Sequence, residues 1–294
     1  MSIAPTAVRR ASVTGFRSLY SDGLIRQTVL GMVMTSSPEE LPETQGRRVS
    51  PARLAARAGE IIGPEYRARL ADRAYLRGLR RELDRSGVLC LEGFLSPGAL
   101  ARLQDEVLEL ESQAEVSNAG GNHKYSVKGS LLEGTVIDEL VHSPLIAALI
   151  NGILHGDGRE ALIDAPIEAS EIVPGINIMR GPGDVTAFHF DGTFLNILVP
   201  VFIPAIEGPN RGQLTIYPNI RSFRKNLYDR LIVPVICRFG LFRLFFRSLE
   251  IDYRPGNVYL FYGYRSLHGV LSPAAAGLRC TTNMTVGANR LMTT

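Results

Sequence analysis

A chain of 294 residues, 45% hydrophobic and 21% charged, is long enough for one large domain or two small ones and too apolar to be disordered. Its net charge of +3 comes from dispersed basic residues, which gives no nucleic-acid footprint, and no apolar run approaches the ~20 residues that span a bilayer. Cys90, Cys237 and Cys280 are far apart and odd in number, so they suggest neither a CxxC metal pair nor a disulfide framework and fit a reduced, cytoplasmic setting.

Residues 1–49 alternate short apolar patches with Ser, Thr, Pro and Glu, and read as a poorly defined N-terminal extension. Arg9-Arg10 is not followed by the apolar region and cleavage site of an export signal. From Ser50, which can cap a helix beginning at Pro51, the Ala-, Leu- and Arg-rich stretch to Arg85 predicts two helices split at Gly63-Pro64. A short strand over 88–92 follows, then a helix opened by Ser96-Pro97. In that helix Leu100, Leu103, Val107 and Leu110 recur at helical spacing and make one apolar face. Ser143-Pro144 opens another helix running to Leu154, with Gly156 as an end signal.

Beyond Asp164 the pattern changes to short β-type runs at 170–180, 185–191, 194–203, 213–217, 250–253, 257–262 and 278–287. Gly- and Pro-containing turns separate them, as in a jelly roll or barrel. Residues 222–248 break this rhythm with apolar runs interspersed with arginines. They read as a helical or irregular insertion whose apolar face packs on the barrel; a lid, or a patch for a greasy substrate, a membrane surface or a second subunit, is the sharper alternative. The expected organisation is therefore residues 1–49 as an extension and 50–294 as one α+β domain, mainly β with packed helices.

Chemistry concentrates at Phe188-His189-Phe190-Asp191. On a strand, residues two apart share a face, so His189 and Asp191 would present an imidazole and a carboxylate together. These are two of the three protein ligands of a non-haem iron facial triad, and His268 is the only histidine downstream to supply the third. His155-Gly156-Asp157 imitates the motif but falls in a Gly-rich turn at a helix end. His123 and His142 read as surface or capping residues. On the strand from Leu278, Arg279, Thr281 and Asn283 share one face, and an inward Arg279 inside a small barrel needs an anion. Asn177, Thr215, Tyr217 and Asn283 are further pocket candidates, Asn177, Thr215 and Asn283 read equally as satisfied structural groups, and Arg265 and Arg290 are less well placed cations.

The string HxD, a later Pro255-Gly256-Asn257-Val258 turn and strand, His268, and an arginine eleven residues beyond it resembles the Fe(II)/2-oxoglutarate-dependent oxygenases, particularly the phytanoyl-CoA dioxygenase-like branch. The Gly87 to Pro97 stretch is similar to that branch's strand-and-helix opening, and Arg211-Gly212-Gln213-Leu214 to its glycine turn between barrel strands. The resemblance implies a double-stranded β-helix of the jelly-roll, cupin-like kind. It implies Fe(II) on His189, Asp191 and His268, and 2-oxoglutarate held by Arg279 with Thr281, Asn177 and Thr215 nearby. It further implies O2 as oxidant, ascorbate as an auxiliary reductant, and hydroxylation or a related oxidation of a small specialised metabolite with release of succinate and CO2; the apolar insertion at 222–248 points to a hydrophobic or amphipathic one. Halogenases of this kind have a small residue in place of the carboxylate, so Asp191 favours oxygen transfer. The competing readings are a cupin-like metal-binding protein without oxygenase activity, for which Arg279 would be superfluous, and an interaction module with an incidental HxD.

Overall fold

In the computed structural model, which describes residues 60–118, 122–155, 162–205, 211–223, 227–238 and 240–287, the part of the chain preceding the β-rich region is largely helical. The 1–49 extension, the Ser50-Pro51 helix start, Gly156-Asp157 and Arg290 lie outside the described residues. Helix α1 (Pro64–Arg69) begins at a proline, and α2 (Arg73–Ser86) is capped by the Asp72 side chain, which accepts from the Ala74 N–H. Helix α3 (Pro97–Leu110) is capped in the same way by Ser96, and buries Ala99, Leu103 and Val107. Helix α4 (Val136–Val141) precedes α5 (Pro144–Leu154), whose predicted start and end are both observed.

Eleven strands among the described residues form two sheets with every pairing antiparallel. The first is ordered β1 (Leu89–Leu91), β9 (Val258–Phe261), β6 (Leu195–Phe202), β11 (Arg279–Val286), β4 (Ile172–Met179), β3 (Lys124–Val127) and β2 (Glu115–Ser117). The second is ordered β5 (Thr186–His189), β10 (Leu267–Val270), β7 (Leu214–Tyr217) and β8 (Leu249–Ile251). Strands alternate between the two sheets along the chain from β4 to β7 and again from β8 to β11, which is the winding of a jelly roll. The seven β runs read from the sequence all correspond to strands. The sequence did not announce β2, β3 or β10, and β10 carries His268.

Alternation along each strand divides the molecule into layers. Ile176, Ile178, Ile197, Val199, Leu260, Cys280 and Met284 point to the helices and join Leu103, Val107, Leu149 and Ile153 in the largest apolar cluster. Full burial of each such side chain contributes about 1.5–3 kcal/mol. Met179, Leu214, Ile216, Phe261 and Val270 point the other way and fill the space between the sheets. The insertion folds as a π-helical turn (Tyr228–Ile232) leading into α6 (Val233–Arg238) and then α7 (Phe242–Phe245). Val233 and Phe242 are buried against Tyr217, Ile220 and Leu267, on the outer face of the smaller sheet.

Candidate metal and anion site

Strands β5 and β10 bring His189 and His268 opposite one another as a cross-strand pair, with ring centroids 4.4 Å apart. The pairing depends on Gly269. A Cβ there would lie 2.9 Å from the Thr186 carbonyl oxygen and 3.1 Å from the Phe188 nitrogen. Backbone carbonyls orient both imidazoles: His189 Nδ1 is 2.7 Å from the Ala187 oxygen and His268 Nδ1 is 3.0 Å from the Ser266 oxygen. A carbonyl only accepts, so each Nδ1 carries a hydrogen, and in the neutral ring this tautomer turns the Nε2 lone pair to the shared space.

The sequence reading places Asp191 on the same strand as His189, but β5 ends at His189 and Asp191 follows it in irregular backbone. The carboxylate converges on the histidines for another reason. The Asp191 N–H donates to the Gly263 carbonyl at 3.1 Å, which ties it to the turn after β9. That turn approaches so closely that a Cβ on Gly263 would lie 3.0 Å from the Asp191 Cβ and 2.7 Å from Thr193 Oγ1. Asp191 Oδ1 lies 3.1 Å from His189 Nε2, and Oδ2 lies 3.2 Å from His268 Nε2. Asn196 Nδ2 donates to Oδ2, and the Thr193 hydroxyl donates to Asn196 Oδ1 at 2.9 Å, so the carboxylate is oriented by a relay the sequence reading missed.

The three ligand atoms lie within 4.8 Å of one another, and no other metal-competent group of three His, Cys, Asp or Glu residues occurs among the described residues. Side-chain exposure of 38% for His189, 21% for Asp191 and 8% for His268 leaves one side of the cluster open to a ligand. Burial acts to raise the Asp191 pKa, but the His268 and His189 charges and hydrogen bonds outweigh it and hold the carboxyl well below its ordinary range. Burial acts to lower the His189 pKa, and Asp191 reverses it, so the net direction is upward. Two imidazole nitrogens and one carboxylate with an open side fit a divalent first-row metal such as iron.

Arg279 is the second component. It is 2% exposed, and among the described residues no carboxylate lies within ion-pair distance of it. Its Nε has no hydrogen-bond partner, its Nη1 is 3.5 Å from Met179 Sδ, and its guanidinium carbon lies 5.3 Å from the Tyr253 ring centroid. Burial lowers its pKa, which is the cost of a charge without an anion. Lys124, which the sequence reading did not single out, is a second cation in the same region. On β3, one residue before the Tyr125–Ile178 pair, it lies beside Met179, whose cross-strand partner on β11 is Arg279. Burial pushes its pKa down to about 8, opposed by the Asp191 charge and reinforced by those of Lys128 and Arg279.

The remaining candidates separate. Asn177 and Thr281 are a cross-strand pair on the face of Arg279, and Asn177 Nδ2 donates to Asn283 Oδ1 at 2.7 Å. Thr215 alternates with Leu214 and Ile216, which fill the space between the sheets, so it lies with Tyr217 on the opposite face from His268. Arg265 is engaged elsewhere, donating from Nε to the Arg221 carbonyl at 3.1 Å and lying 3.9 Å from Asp84. His155 Nδ1 is bonded to the Ile163 carbonyl, His123 to Asp184 and His142 to Asp138, so each has a structural partner.

No protein-family model matches the chain, and no curated protein matches it in sequence. Solved structures do match in fold. SnoN, a non-heme alpha ketoglutarate dependent epimerase from nogalamycin biosynthesis, aligns with a TM-score of 0.54 at 18% identity over 72% of this chain and 80% of its own. A prolyl hydroxylase from Trichoplax adhaerens aligns with a TM-score of 0.54 at 14% identity over 75% and 92%. HygX from Streptomyces hygroscopicus, solved with nickel and 2-oxoglutarate bound, aligns with a TM-score of 0.52 at 14% identity over 72% and 86%. The chain therefore has the jelly-roll fold found in Fe(II)/2-oxoglutarate-dependent oxygenases. None of these three is a phytanoyl-CoA dioxygenase.

Proposed function

We propose that this protein is an Fe(II)/2-oxoglutarate-dependent oxygenase acting on a small organic substrate, with motifs that resemble the phytanoyl-CoA dioxygenase-like branch. The observation that carries the reading is the combination of a His-Asp-His cluster, open on one side, with a buried arginine that has no acidic partner. A plain metal-binding barrel has no need of Arg279. His189, Asp191 and His268 would hold Fe(II), and Arg279 would hold a carboxylate of 2-oxoglutarate, with Thr281 and Asn177 on the same face. When bound, the metal and the keto acid supply an oxidation by dioxygen that releases succinate and carbon dioxide.

The chain's own contribution is positioning. The Ala187 and Ser266 carbonyls hold both rings by Nδ1, which leaves Nε2 as the ligand atom of the neutral imidazole, and Asn196 and the Gly263 carbonyl fix Asp191. Phe261 packs against His268, with ring centroids 4.7 Å apart, and restricts water on that side. With Fe(II) bound, the Asp191 carboxylate would take the position that a halide needs, which supports transfer of oxygen, and hydroxylation is the simplest outcome. An epimerase and a carbocyclase among the structural relatives have the same fold, so the fold is not confined to hydroxylases. Incubation with Fe(II), 2-oxoglutarate and dioxygen is expected to release succinate and carbon dioxide one to one, slowly without the organic substrate. Succinate production no greater than that of Asp191→Ala contradicts the reading.

A further inference from the structure

Residues 222–248 contain six basic residues and a single acid, Asp229, a local balance of +5 in a chain whose total is +3. The rest of the chain is therefore slightly acidic. The inner side of the insertion is taken up by packing: Val233 and Phe242 are buried, and the Phe242 ring lies 5.9 Å from that of Phe188. The outer side exposes large apolar groups. Leu227, Leu231 and Val235, four residues apart and 71%, 56% and 49% exposed, form one stripe along the π-helical turn and α6. Leu244 and Phe245 are 78% and 68% exposed on α7, and Arg243 and Arg247 beside them are exposed as well.

We propose that this segment docks the protein onto an anionic membrane surface. The apolar stripe and the Leu244-Phe245 tip enter the headgroup boundary, and the exposed Arg243 and Arg247 meet anionic headgroups. Charge selects this occupant over a second copy of the chain. A two-fold contact through the same face would bring two segments of +5 together, whereas an anionic bilayer complements them. Surface attachment requires no spanning helix, and no helix among the described residues is long and apolar enough to cross a membrane. Docking uses exposed side chains and no metal, so it is independent of the oxygenase reading.

The test is co-sedimentation of the full chain with vesicles of phosphatidylcholine alone and of phosphatidylcholine mixed equally with phosphatidylglycerol. Partition onto the anionic vesicles is expected to be at least about tenfold stronger, and to fall as salt is raised. The double substitution Leu244→Ser, Phe245→Ser is expected to reduce it at least about tenfold with an unchanged far-ultraviolet circular dichroism spectrum, since both side chains are exposed. No binding to anionic vesicles, or binding that the double substitution leaves intact, overturns the proposal. A dimer in sedimentation velocity that the double substitution dissociates also overturns it, because the face then belongs to a second copy.

Discussion

Lys124, half-buried, and Arg279, buried, put two cations on the strands that flank β4, on the side of the two imidazoles and the carboxylate. In the empty protein these cations cost stability, and a bound dicarboxylate would offset that cost. The Lys124 amine keeps its proton below a pKa of about 8 and loses it above. Affinity for 2-oxoglutarate is therefore expected to weaken above pH 8 by up to about tenfold per pH unit, and Lys124→Met to flatten that profile. Calorimetric titration of the Mn(II)-loaded protein at several pH values checks this, and a flat profile in the wild type contradicts it. The linked effect on the empty protein has the opposite sign. Between about 8 and the ordinary lysine value of 10.5 the folded chain releases a proton that the unfolded chain keeps, so its stability rises with pH there. The sequence made His189, Asp191 and Arg279 legible because each has chemistry that a short motif specifies. It did not reveal Lys124, which lies in a four-residue strand after a polar Gly-rich stretch. It also misplaced Thr215, since a strand's polar residues do not say which face is the inside until the neighbouring strands are known.

The pairing of β5 with β10 does at the level of elements what the ligands do chemically. It sets the separation of His189 and His268, and at Gly269 the two strands leave no room for a Cβ. Gly269→Val would force a side chain against the Thr186 carbonyl and the Phe188 backbone. The expected cost is about 1–3 kcal/mol of stability, with at least about tenfold weaker Co(II) binding, measured by thermal denaturation and metal titration. Wild-type affinity in this variant would show that the strand spacing does not control the site. Helices α3 and α5 were readable because Ser-Pro caps and helical apolar spacing are local signals. Strand β10 was not. Leu267-His268-Gly269-Val270 is too short for alternation to stand out, and it becomes a strand by pairing with β5 on one side and β7 on the other. The end of β5 at His189 was equally hidden, because the Gly263 carbonyl that positions Asp191 is distant in sequence.

At the scale of the whole molecule the two halves of the site come from different sheets. The His-Asp-His cluster lies on and beside the four-stranded sheet, while Arg279 and Lys124 belong to the seven-stranded one. Met179, Phe261, Leu214 and Ile216 fill the space between the sheets and hold them together. The helical layer covers the outside of the larger sheet, and the basic, partly exposed insertion covers the outside of the smaller one. Only the closed sandwich presents metal ligands and cations to one bound molecule, so the most direct test asks for both at once. Fe(II) and then 2-oxoglutarate are added without oxygen, and the visible spectrum is recorded. A weak charge-transfer band is expected in the wild type, no band in Asp191→Ala, and a band in Arg279→Ala only at higher 2-oxoglutarate concentration. No band in the wild type, or an undiminished one in Asp191→Ala, would rule out the joint metal and carboxylate site.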